Sequence, residues 1–241
     1  MVTISDAIDV MVRWIDTESH HAHHVVNTGM HGIIHAHRDL NFRTVLESCE
    51  LLAPDGILAV LIARIHGYKI RKRDTGPGLL RKFSEVANRR GYTFYFYGDT
   101  AETLDLLSTK LVSEFPNLKI AGKQSPPFRP LTQEEDRKAI ASINETRPDV
   151  LWVGLGMPKQ EQWIYDHKQE LNVPVVVGAG ASFKLVSGAT PRAPSLICDF
   201  GFEWLWRLVQ EPSRIWRRVV FDAPLFIVLV FLQLIGLKKF E

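Results

Sequence analysis

The chain has 241 residues, enough for one large domain or for a domain with an appendage. With 46% hydrophobic and 23% charged residues it falls outside the disordered classes, and a net charge of +2 gives no ground for a nucleic-acid partner. The charge is unevenly spread: Arg207, Arg214, Arg217 and Arg218 meet only one acid, Glu211, in the same stretch.

The opening residues, MVTISDAIDVMVRWIDTESHH, carry acids and no long apolar core, so no secretory signal is expected and a cytoplasmic location follows. Cys49 and Cys198 lie far apart in apolar surroundings and read as two reduced, buried thiols. Ile4, Ile8, Met11, Val12 and Ile15 recur at helical spacing and predict an amphipathic helix. The His20–His24 group reads as a solvated loop, 25–28 as a short strand, and Met30–Arg38 as a helix.

Five further strands are expected at Glu50–Ala53, Tyr92–Tyr97, Leu118–Ala121, Val150–Val153 and Val173–Val177. Helical stretches such as Ala101–Phe115 and Glu134–Glu145 separate them. Alternating strands and helices imply an α/β fold: a Rossmann-like, mostly parallel sheet with helices on both faces. Composition changes after Pro194, giving a catalytic unit over 1–194 and a C-terminal appendage over 195–241. That appendage is rich in aromatics (Phe200, Phe202, Trp204, Trp206), then basic, then nearly all apolar from Val219 to Leu237. The apolar run falls short of the roughly 20 residues that span a bilayer and carries an early proline, so an interfacial anchor is expected. The plainer alternative is a helix packed on the core or against a second copy in a homo-oligomer.

Four places carry chemistry. Leu51–Gly78 holds a strand, the Pro54-Asp55-Gly56 turn, an apolar helical segment (Ile57–His66), the cations Arg71, Lys72 and Arg73, and a Thr75-Gly76-Pro77-Gly78 turn. An acid at a strand tip together with a cationic patch suits a reaction that deprotonates a hydroxyl and expels a phosphate. Val150–Trp163 places Gly154 and Gly156 between a strand and a helix start, as a ligand-facing loop or a tight turn, with Gln160 offering a donor and an acceptor. The stretch VVGAGASFKLVS repeats that arrangement around Gly180 and Lys184. The histidines invite a metal, and His31 and His35 stand one turn apart, but His-Gly-Ile-Ile-His lacks the glutamate of the metalloprotease pattern. No metal and no cofactor is expected. A dehydrogenase is disfavoured, because no G-x-G-x-x-G follows the first strand.

Taken together these blocks resemble the bacterial WecG/TagA/CpsF glycosyltransferases, from about Val25 to Arg218. The resemblance is carried by Pro54-Asp55-Gly56, Arg73 with Thr75-Gly76, Tyr95–Gly98, Phe115–Ile120, Val153–Glu161, Arg192-Ala193-Pro194, Glu203–Arg207, and Glu211-Pro212 with Arg214. It implies metal-independent, inverting transfer of a sugar from a UDP-sugar to a polyprenyl-diphosphate-linked saccharide at the inner face of the cytoplasmic membrane, in cell-surface polysaccharide synthesis. It further implies Asp55 as general base with Arg73 beside it, Thr28 and Gln160 in the pocket, and Arg207, Arg214 and Arg217 closing over the leaving diphosphate. The chain departs from the family pattern at Met30, where asparagine is usual, and at Lys184, where aspartate is usual. Lys184 suits a donor carboxylate, as a uronic acid would supply, or a phosphate, and the donor is expected to be of the N-acetylmannosamine type or a uronic acid. The competing reading is a non-catalytic nucleotide-sugar-binding or scaffold protein of the same fold.

Overall fold

A computed structural model describes residues 3–17, 21–55, 76–191, 203–210 and 212–237. In chain order the elements are α1 (Ile4–Asp16), β1 (His23–Thr28), α2 (Met30–Arg38), α3 (Leu40–Glu47), β2 (Leu51–Pro54), α4 (Gly76–Arg90) and β3 (Thr93–Gly98). They continue with α5 (Ala101–Glu114), β4 (Lys119–Gln124), α6 (Gln133–Thr146), β5 (Val150–Gly154), α7 (Lys159–His167), β6 (Val175–Gly178) and α8 (Ser182–Ser187). The C-terminal arm holds α9 (Glu203–Gln210), α10 (Pro212–Arg217), a π-helical turn (Arg218–Asp222) and α11 (Ala223–Leu234).

Local chemistry explains several boundaries. Thr3 and Thr132 close capping boxes with Asp6 and Glu135, each hydroxyl taking the N–H that would otherwise be unpaired in the first turn. Arg129 grips Glu135 with two hydrogen bonds of 2.8 and 2.6 Å and, with the cap, holds that carboxyl down at about 2. Pro212 opens α10 as its first residue, where a missing N–H costs nothing.

The six strands form one sheet in the order β2-β1-β6-β5-β3-β4, and every pairing is parallel. Alternation along the strands divides the core. Val25, Phe94, Phe96, Trp152 and Val177 face α1, α4, α5 and α8. Tyr95, Tyr97, Leu151, Val153 and Val176 face α6 and α7, while Val26 meets α3. A sheet covered on both faces needs apolar residues at nearly every position, and β5 is buried throughout.

One expectation fails here. His23 and His24 are strand residues, not solvated loop: His24 is fully buried, and His23 stacks on Trp14 with centroids 4.2 Å apart. The sheet needs their backbone for its ladder to β6, and the side chains follow the pleat inward. Cys49 is a half-buried free thiol, and burial raises its pKa. Gly56, the 57–66 segment, Arg71–Arg73, Thr75, Arg192–Pro194, the boundary at 194 and Cys198 lie outside the described residues.

The arm docks on α2 through Asp222, which is only 5% exposed. Its carboxylate accepts from His31 Nδ1 at 3.0 Å and from Arg38 Nη1 at 2.7 Å. Phe226 and Ile215 are the arm's buried apolar residues among those described. None of the described helices is long and apolar enough to cross a membrane. Replacing Asp222 by Ala leaves two donors without their acceptor and should cost about 1–3 kcal/mol. The loss should appear as faster amide exchange through 218–234 with the sheet amides unchanged; equal protection of the arm in both proteins would show that Asp222 does not hold it.

Candidate active site

An all-parallel sheet gathers the C-terminal ends of its strands along one edge, and most of the described residues of the expected site lie there. In strand order the edge carries Asp55 after β2, Thr28 ending β1, Gly180 after β6, Gly154 ending β5 with Gly156 beyond it, and Asp99 after β3. The chain leaves β1 outward to β2 and leaves β3 outward to β4, so the connections diverge about the central β6–β5 pair.

Asp55 is half-buried, and its N–H donates to Thr28 O at 2.9 Å. Gly29, which caps α2, leaves no room for a Cβ, because one would strike the Asp55 carbonyl oxygen. The turn after β1 thus lies directly on the acid's backbone. Thr28 is 2% exposed and its hydroxyl approaches Met157 Sδ at 3.7 Å, which joins the Asp55 turn to the glycine loop after β5.

That glycine loop borders a cavity of about 560 Å³. Gly154, Gly156, Gly180, Tyr97, Asp99 and Lys184 are among its walls, and Phe128 stands at it with 93% of its surface exposed. The Tyr97 hydroxyl is buried without a hydrogen-bond partner among the described residues, and burial pushes its pKa up. Lys159 and Lys184 supply positive charge, whereas the guanidinium of Arg129 is already engaged by Glu135. Lys184 Nζ lies 3.8 Å from Asp99 Oδ1. Asp55 is not one of the cavity's walls; it stands three strands from Gly154, roughly 14 Å at ~4.8 Å per strand.

Gln160 is 4% exposed, and both ends of its amide are occupied inside the protein. Its Oε1 accepts from Gly156 N–H at 3.1 Å and its Nε2 donates to Glu161 Oε1 at 2.7 Å. A Cβ on Gly178 would come within 2.9 Å of that Nε2, and one on Gly180 within 3.1 Å of Oε1. Gln160 therefore shapes both glycine loops from beneath. Arg217 lies elsewhere: it stacks over Trp216 at 5.5 Å and lines a separate pocket against α2 with His31 and Arg38. Arg207 and Arg214 sit on α9 and α10 with side chains outside the described residues, as is Arg73 entirely.

Two buried groups have shifted pKa values. Glu161 is 1% exposed, and burial raises its pKa from 4.5 to about 7. Its polar neighbour is Gln160, and its Oε2 has no partner among the described residues. Burial drives His24 the other way, from 6.5 to about 4, against the opposing pull of Glu50. The buried Glu161 proton favours the fold fully below pH 4.5, and that contribution is lost as pH rises to about 7. Neutral His24 favours the fold above pH 6.5, and that contribution is lost as pH falls to about 4. The opposing slopes, each about 1.4 kcal/mol per pH unit, cancel between pH 4.5 and 6.5. Glu161→Gln should make stability rise with pH across that window relative to the parent, and His24→Leu should make it fall. Urea midpoints measured from pH 4.5 to 7.5 decide this; difference profiles that stay flat for both variants would refute it.

Comparison with known proteins identifies the family. A model of the Glycosyl transferase WecG/TagA/CpsF family matches residues 1–240. The N-acetylglucosaminyldiphosphoundecaprenol N-acetyl-beta-D-mannosaminyltransferase of Bacillus subtilis (strain 168) is 32% identical over 184 residues, 76% of this chain and 69% of the relative. The protein of the same name from Bacillus spizizenii is 30% identical over 189 residues, 78% of this chain and 71% of the relative. A third of that name, from Staphylococcus aureus (strain MW2), is 25% identical over 173 residues, 72% of this chain and 66% of the relative. With a family model matched over residues 1–240 and a relative 32% identical over 76% of this chain, the chain belongs to the WecG/TagA/CpsF family and is a glycosyltransferase.

Proposed function

We propose that the protein transfers N-acetylmannosamine from a UDP-sugar to a polyprenyl-diphosphate-linked N-acetylglucosamine, with inversion and without a metal. The donor and acceptor classes are those of the named relatives and of the family resemblance. The observation that carries the reading is the backbone seating of Asp55. The Thr28 carbonyl and Gly29 hold its turn at the strand edge that also bears the glycine-lined cavity.

The nucleotide occupies the cavity beside Gly154, Gly156 and Gly180, and its diphosphate runs along the edge toward β1. The sugar then reaches Asp55, three strands away. Asp55 takes the proton of the acceptor hydroxyl as that oxygen bonds to the anomeric carbon, and the bond from that carbon to the UDP oxygen breaks on the opposite face. Arg73 keeps the acid ionised. Lys159 and the arm arginines Arg207 and Arg214 take up the charge of the departing UDP, since guanidinium forks match phosphate geometry; Arg217, expected there too, stands in the separate pocket against α2. Lys184 already faces Asp99, so the motive for a uronic-acid donor weakens and neutral N-acetylmannosamine is favoured. The exposed apolar residues of α11 suit contact with the inner face of the cytoplasmic membrane, where such an acceptor resides.

Asp55→Asn tests the base. Turnover of UDP-N-acetylmannosamine with a short-chain diphosphate-linked acceptor should fall by roughly 10²–10⁴-fold. UDP affinity should stay within about twofold of the parent, a free-energy change near 0.4 kcal/mol. Undiminished turnover would remove Asp55 from the mechanism, and joint loss of binding and turnover would assign it to the nucleotide pocket.

A further inference from the structure

The C-terminal arm and α2 enclose two hollows with complementary chemistry. One, of about 470 Å³, is walled mainly by apolar side chains, among them Ile33, Leu46, Leu52, Phe226, Leu229 and Val230. The other, of about 680 Å³, lies on the neighbouring face of α2 and holds Arg38, Arg217 and Arg218 against the single acid Asp222. Both oxygens of Asp222 are engaged, one by His31 and one by Arg38, so the pocket presents a net positive wall with Trp216 and Phe221 at its side. Both hollows share α2 as a wall and the arm as the opposite wall.

The apolar groove also reaches the strand that carries the acid. Leu52 lines it from β2, and Asp55 follows three residues on, roughly 10 Å along the strand at ~3.3 Å per residue. A ligand filling the groove, with its anionic end beside α2, therefore has its next groups within reach of Asp55. Phospholipid acyl chains would meet an apolar surface equally well, but they carry nothing that must reach Asp55. An isoprenoid chain ending in a diphosphate sugar does.

We propose that the groove between α11, α3 and β2 is the seat of the first isoprene units of the acceptor's polyprenyl chain, with the arginine pocket on α2 attracting its diphosphate. The assignment rests on the lipid-linked acceptor proposed above and adds a site for the chain itself. The enzyme then grips the lipid as well as the sugar, and acceptor affinity depends on chain length up to the point where the groove is full.

Binding to the full-length protein tests this without any turnover. The probes are inorganic diphosphate, dimethylallyl, geranyl and farnesyl diphosphate below their micelle concentrations, with UDP as a separate control. Each added isoprene unit that enters the groove should tighten binding by at least about tenfold, since a buried methylene alone is worth about fourfold. Leu229→Gln and Leu52→Gln, both at the groove wall, should abolish that chain-length gain while leaving inorganic diphosphate and UDP binding as they were. A flat chain-length series would overturn the proposal, as would a series unchanged in both variants. Vesicles of phosphatidylglycerol that displace farnesyl diphosphate and lose binding in the same variants would reassign the groove to bulk lipid. The catalytic reading fails separately: farnesyl diphosphate bound in the groove of a protein that turns over no UDP-sugar leaves the groove assignment standing.

Discussion

The reactive edge depends on one buried amide. Gln160 lies under the loops that follow β5 and β6, accepts from the Gly156 N–H and donates to Glu161. A Cβ at position 178 would press on its Nε2 at 2.9 Å and one at 180 on its Oε1 at 3.1 Å, and its oxygen orients the loop that walls the cavity. Leaving either end of such an amide unpaired costs about 1–3 kcal/mol, so the three groups are held as a unit. Glu161 completes the unit as an acid that stays protonated to about neutral pH, because ionising it in a dry site with one polar neighbour costs more than keeping the proton. The glutamine thus supports the glycine loops from within the protein.

Strand order turns that local device into a site. With β1 and β6 between β2 and β5, Asp55 and the glycine loops share an edge but stand three strands apart. Thr28 and Met157 span the interval, one from β1 and one from the glycine loop, and their contact ties the two halves of the edge together. The separation follows from parallel connectivity, which a list of motifs does not display.

Much of the fold was legible because its signals are local. Apolar runs such as Val150–Val153 and the capping threonines mark elements wherever they pack, and each expected strand appears within three residues of its expected ends. The glycine loops were legible too, since a glycine between strand and helix has few other uses. What escaped were pairings between distant residues. His24 looked solvated in a histidine-rich stretch, yet its neighbours Val25 and Val26 commit it to a buried strand. Glu161 lies in the first turn of α7, and the end of β6 at Gly178 packs close to its carboxyl in the fold. The Asp99–Lys184 approach joins positions 85 residues apart, so neither residue signals the other in the sequence.

Asp222 carries the same lesson into the arm. In the sequence it interrupts an apolar run; in the fold it is a polar attachment of the arm to α2. Because a hydrogen-bonded carboxylate supplies that attachment, the apolar side chains of α11 are not spent on it. Phe226 alone is buried in that helix, while Ile227, Val228, Phe231 and Leu234 remain exposed. Had the arm docked through those residues, they would be buried as Phe226 is. Docking through Asp222 does the reverse: it leaves an open apolar groove on one side of α11 and an uncovered apolar face on the other, and a face of that kind is stable only against something other than water.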